Sequence, residues 1–183
     1  MATPSFTITG FYQDKFIKTH RLSGHEGGVC RGLVIAWLSA NGDLNSINQA
    51  QVQDAARITD AMESADLGGY LAVYGLIQVG DPLEGEDLGN PGKREEVLKF
   101  LCQPGYYFIG LHNAEATAGH ALGAIKKPTG GSWFDPNNSQ NVLSSDALYR
   151  RSLEYIIKLY VWGKEYKEYI ISRTSESFGA FSR

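Results

Sequence analysis

Residues 105–137 constrain the fold more than any other stretch of this chain. Three runs of strand character follow one another with only a few residues between them: GYYFIGLHN (105–113), TAGHALGAIKK (117–127) and GGSWFDPN (130–137). The first is aromatic and β-branched, and the third is a short strand that ends in an Asp-Pro-Asn turn. The second alternates, with His120, Leu122 and Ala124 on one face and Ala121, Gly123 and Ile125 on the other. Connections this short join antiparallel neighbours, since a parallel pair needs a crossover of about a dozen residues or more.

Helical patterns surround this block. From Cys30, apolar residues fall at 30, 33, 34, 37 and 38, the stripe of a core-facing helix, and ANGD (40–43) stops it. A second helix is predicted over 46–66 with Ser46 as N-cap, and a third over 93–103, ended by Pro104 and Gly105. Residues 67–92 are an apolar run and then a Gly- and Pro-rich loop from about 80. A helix over 144–162 turns Leu148, Leu153, Ile156, Ile157 and Tyr160 inward, and 165–174 is a last strand. Residues 5–20 suggest one or two short strands or an extended arm, and the glycines of LSGHEGG (22–28) mark a loop. Helices first, then an antiparallel strand run, is an α+β layout. At 183 residues the chain is expected to form one domain, 1–183, with 1–5 as a flexible arm.

Composition narrows the function. With 43% hydrophobic and 20% charged residues the chain is globular rather than disordered, and a net charge of −3 gives no electrostatic case for nucleic acid or an anionic membrane as partner. No run of apolar residues is long enough to span a membrane, and MATPSFTITG has neither the basic nor the apolar region of a conventional signal peptide. Two cysteines, Cys30 and Cys102, are too few for a disulfide framework and suit a reducing environment. No Cys/His spacing resembles a zinc site and GHEGGVCRG lacks the Lys-Ser/Thr of a P-loop, so no metal or cofactor is implied.

Cys30 is the residue with chemical promise. At a helix N-terminus the free N–H groups and the helix dipole favour the thiolate, which is the nucleophilic form. Gly27 and Gly28 leave room for a substrate backbone beside it. The competing reading is a small buried residue at the head of an apolar stripe, and the helix alone leaves both open. A nucleophile needs a base and an orienting group. His120, between small neighbours on a strand, and Asp135, fifteen residues on at the end of the next, supply that pair, while the Asp-Pro-Asn sequence also favours a simple turn. The Cys30 backbone N–H supplies one oxyanion donor; His25 is the candidate for the second, with Gln13 as runner-up. Cys102 shares a stripe with Leu98 and Leu101 and reads as core. Trp37 packs under the Cys30 helix, Trp133 and Trp162 are candidates to line a cleft, and His112 lacks a matching aspartate.

GGVCRGLVIAW, GHALGAI and WFDPNNS, in that order across 27–139, resemble the motifs of the YopT-like papain-fold cysteine proteases, a family of bacterial virulence effectors. The resemblance implies a papain-like fold in which a helical part bearing the cysteine packs on an antiparallel sheet bearing histidine and aspartate. It makes Cys30 the nucleophile, His120 the general base and Asp135 the orienting acid. It places His25 where the family commonly has an amide completing the oxyanion hole. It also implies secretion without a conventional signal peptide, action in a host cytoplasm and a host protein as substrate, and a cleft enzyme of this size is expected to be a monomer. Two other readings stand beside it. The same three residues serve a deamidase, a transglutaminase or a peptidoglycan amidase equally well, since all pass through a thioester. A non-enzymatic binding module with a structural Cys30 predicts that the three do not converge in space.

Overall fold

A computed structural model describes residues 5–20, 29–47, 50, 52–53, 67–115 and 118–175. In chain order its elements are β1 (Phe6–Gly10), α1 (Gln13–His20), α2 (Cys30–Ser39), a 3-10 turn (Leu44–Ser46), α3 (Leu67–Val73), β2 (Leu83–Gly85), α4 (Pro91–Leu101), β3 (Gly105–His112), β4 (Gly119–Lys126), β5 (Gly131–Asp135), β6 (Ser139–Leu143), α5 (Asp146–Lys164) and β7 (Glu168–Thr174). The strands form one antiparallel sheet in the order β1-β6-β5-β4-β3-β7-β2. The fold is α+β, and the three strand runs read from 105–137 are its centre.

The alternation of β4 feeds two separate cores. Leu122 and Ala124 pack with Leu98 and Leu101 of α4 and with Leu153, Ile156 and Ile157 of α5. Ala121 and Ile125, on the opposite face, pack with Leu33, Val34 and Trp37 of α2. A strand buried on both faces by helices is fixed in register, because a slip of one residue would exchange the two sets. Gly123 sets the approach of α2. A Cβ there would lie 2.7 Å from Trp37 Cε3, so the indole rests directly on the β4 backbone. Residues 32–38 of α2 are all buried, a helix apolar on every side and enclosed accordingly. It stops where expected, at Asn41 and Gly42, both with positive φ (52° and 82°).

Several boundaries differ from the sequence reading, each for a local reason. Residues 13–20 are a helix, not a strand: Phe16 and Ile17 share a helical face that packs on the α2 core beside Phe11, and Asp14 sits favourably in the first turn. The third helix starts at Pro91, because the Asn90 side chain accepts from Gly92 N (2.8 Å) and proline suits the first helical position. Ser46 ends the 3-10 turn, itself capped by Asp43, which accepts from Asn45 N at 2.9 Å. Most of the predicted 46–66 helix, and the whole 22–28 loop, lie outside the described residues. β2 falls inside the expected 80–92 loop as a three-residue edge strand on β7. β6 carries no hydrophobic alternation at all. Its inward residues are Ser139, Asn141 and Leu143, and Asn141 Nδ2 satisfies Ser139 Oγ at 2.8 Å. A strand whose buried face is polar and self-paired at two of its three positions leaves no period-two signal.

Candidate active site

Cys30 is the first residue of α2, and its helix is anchored by the buried run behind it. No side chain caps the helix through its own Val29 N-cap residue. Instead α1 delivers Gln13, whose Oε1 accepts from Val29 N–H at 3.0 Å and whose amide nitrogen donates to Asn137 Oδ1. The position immediately ahead of Cys30 is thereby tied to the turn after β5.

The sheet brings the other two residues to the same place. β4 and β5 pair at Gly123↔Phe134 and Ala124↔Trp133, so Asp135 and His120 fall on the face shared with Leu122. His120 Nε2 lies 2.8 Å from Asp135 Oδ1, with both side chains buried. The Asp-Pro-Asn sequence is a turn as well: Asn138 N–H donates to the Asp135 carbonyl (3.0 Å) and Asn137 N–H to its carboxylate (2.9 Å). The turn thus aims the carboxylate. Cys30 hydrogen-bonds the His120 side chain, and Asn137 Nδ2 lies 3.5 Å from His120 Nδ1. The structure therefore brings Cys30, His120 and Asp135 into one cluster.

Electrostatics in the cluster favour separated charge. Burial pushes the Cys30 thiol pKa up, but the hydrogen bond and charge of His120, the Ala121 backbone and the Arg31 charge together hold it below the ordinary thiol value. Burial pushes the His120 imidazole down, and its hydrogen bonds to Asp135 and Cys30 outweigh this, raising it to about 9. A lowered thiol beside a raised imidazole favours a thiolate–imidazolium pair, whose protonation belongs to both groups. Cys102 is the contrast: half-buried against the α4–α5 core, its thiol is pushed up by burial.

Other candidates fall elsewhere. Trp133 is 4% exposed and does not line a cleft. The same two-residue period that carries Leu122 and Ala124 puts it under α5, where its Nε1 donates to Ser152 Oγ at 2.7 Å. Trp162 is exposed, with Lys158 and Arg94 over its ring at 5.7 and 6.0 Å. His112 is engaged by Glu168 at 3.1 Å. His25, Gly27 and Gly28 lie outside the described residues. Among the described residues no group of three or more His, Cys, Asp or Glu side chains is placed to hold a metal, and no described helix is long and apolar enough to cross a membrane.

No protein-family model and no curated protein sequence matches the chain. Among solved structures it aligns with the crystal structure of the Pseudomonas avirulence protein AvrPphB, with a TM-score of 0.66. The two chains share a fold. The alignment covers 82% of this chain and 93% of AvrPphB at 18% sequence identity, so the likeness lies in architecture rather than in sequence.

Sequence reasoning missed two members of the cluster. Asn137 stood inside the WFDPNN motif without a role. The apolar pattern of α5 presents Tyr160 only as an inward-facing residue, although a buried tyrosine must also place its hydroxyl, and that polar tip is the available signal.

Proposed function

We propose that this protein is a papain-like cysteine endopeptidase, a monomeric bacterial effector secreted without a conventional signal peptide that cleaves a specific protein in a host cytoplasm. The observation that carries the reading is the junction of a helix-N-terminal thiol, a buried histidine and a buried aspartate 2.8 Å from it. The fold shared with an avirulence protein supports the effector part. Convergence of the three favours an enzyme over a binding module with a structural Cys30.

In this mechanism the Cys30 thiolate attacks the scissile carbonyl carbon and the carbonyl π electrons move to oxygen. The oxyanion is held by the Cys30 backbone N–H at the helix N-terminus. Gln13 is the better supported second donor, since its amide already bonds the backbone one residue ahead of Cys30. The imidazolium of His120 protonates the leaving amine as the C–N bond breaks, which leaves a thioester and neutral His120. His120 then takes a proton from water as the water oxygen attacks the thioester and so becomes the imidazolium again, and collapse of the tetrahedral intermediate breaks the C–S bond, releasing the acid and the Cys30 thiolate. Asp135 holds the Nε2–H side of the ring throughout, which leaves Nδ1 as the nitrogen that exchanges the proton in this mechanism.

The test is to incubate the protein, and its Cys30→Ala variant, with host-cell lysate and to sequence newly exposed N-termini. New N-termini that need Cys30 are expected. Their absence, with Cys30-dependent conversion of glutamine to glutamate instead, would replace the protease reading by a deamidase.

A further inference from the structure

We propose that Tyr160 is a positioning residue of this site, with its hydroxyl fixing the Asp135 carboxylate and its ring sealing the His120–Asp135 bond from water. The inference rests on the protease reading above and adds to it a residue from α5, an element outside the three motifs. Tyr160 is 6% exposed. Its O–H donates into the carboxylate, 3.0 Å from Oδ2 and 3.1 Å from Oδ1. Asp135 Oδ1 already accepts from His120 Nε2 and from Asn137 N, so the phenol serves the other oxygen and locks the carboxylate against rotation. The phenol ring also stacks on the imidazole, with centroids 4.7 Å apart and planes 18° apart, and Tyr166 stacks behind it at 6.1 Å and 10°. Asn137 Nδ2 lies 3.5 Å from the phenol oxygen and its Oδ1 accepts from Gln13, which closes a path from α5 back to the residue ahead of Cys30.

Two jobs make two separable losses. The titratable and charged groups acting on the Cys30–His120 pair are Asp135 from β5, Tyr160 from α5 and Arg31 from α2. Burial, with the Asp135 charge, drives the Tyr160 phenol pKa far up, so it remains a donor across the working range. Tyr160→Phe keeps the stacked ring and frees Oδ2. Tyr160→Leu also opens the imidazole face to water, which screens the carboxylate from the imidazolium.

The experiment is the pH profile of Cys30 alkylation by iodoacetamide in wild type, Tyr160→Phe and Tyr160→Leu, read by mass spectrometry of the Cys30 peptide. The thiolate limb is expected to rise in pH by about one unit in the phenylalanine variant, about tenfold slower alkylation on the acidic side, and further in the leucine variant. An unmoved limb in both variants overturns the proposal even where thermal stability falls, because that is a packing role only. A wild-type Cys30 with no low-pH reactivity fails the protease reading itself, a distinct result. Should a variant not fold, the wild-type protein still answers. Its His120 Nε2 proton should give a downfield NMR resonance protected from exchange, and fast exchange with water denies the seal.

Discussion

Replacing Asp135 by asparagine isolates the charge that organises the site. The side chain is 0% exposed and 2.8 Å from His120 Nε2, and asparagine keeps its shape while removing the charge. His120 titrates at about 9 against an ordinary 6.5, and the Asp135 hydrogen bond is the largest of the effects raising it. A hydrogen bond to a charged partner contributes about 1.5–3 kcal/mol, which is about 1–2 pKa units. His120 in Asp135→Asn is therefore expected to fall by that amount, and the Cys30 interaction sustains the remaining rise. The sign follows from linkage. A histidine raised on folding stabilises fully below its unfolded pKa near 6.5 and loses that contribution as pH climbs through about 9. The wild-type advantage in thermal melting over Asp135→Asn should thus be largest at about pH 6 and shrink by about 1.5–3 kcal/mol at alkaline pH. Loss of the Tyr160 and Asn137 contacts to a charged acceptor is independent of pH over this range and cancels in the comparison. An NMR titration of His120 measures the shift directly. An unchanged His120 pKa, or a stability gap that does not vary with pH, would refute the assignment of the shift to Asp135.

Gly123→Ala drives a methyl toward Trp37 Cε3, 2.7 Å from the ideal Cβ, and should destabilise the protein by about 1–3 kcal/mol in urea unfolding with an unchanged slope. Gln13→Ala leaves the buried Val29 N–H without its acceptor and should cost about 1–3 kcal/mol in the same assay, while lowering turnover as well if Gln13 is the oxyanion donor. Peptide mapping after brief alkylation near neutral pH should find Cys30 modified well ahead of Cys102, whose thiol is pushed up by burial; equal labelling would contradict the contrast drawn between them.

Much of this architecture was legible in local patterns. The α2 stripe, the alternation of β4 and the turn after β5 each obey one periodicity over a short window, and each lies where it was read. β6 was illegible because Ser139 and Asn141 satisfy each other inside, so burial marked the strand with a single apolar residue, Leu143, too little for a period. Residues 13–20 misled because Phe16 and Ile17 have strand propensity, and the pocket they fill beside Phe11 exists only once α2 is packed. For the candidate site, chemistry and motif nominate Cys30, His120 and Asp135 from the sequence, and the fold places their side chains in contact. Trp133 was misassigned because a tryptophan near a motif suggests a cleft, while its register with Ala124 sends it under α5. Tyr160 was hidden for a different reason: its role depends on α5 crossing the sheet at Asp135, a tertiary fact that no window of sequence holds.

The proposed chemistry requires a Cys30 thiolate maintained by His120. The direct measurement is the iodoacetamide rate constant of Cys30 at about pH 6 in wild type and in His120→Ala. Rapid alkylation is expected in the wild type, and at least about a tenfold loss without the imidazole, because the hydrogen bond and charge that most lower the thiol pKa against its burial are then gone. Equal rates in the two proteins would contradict it.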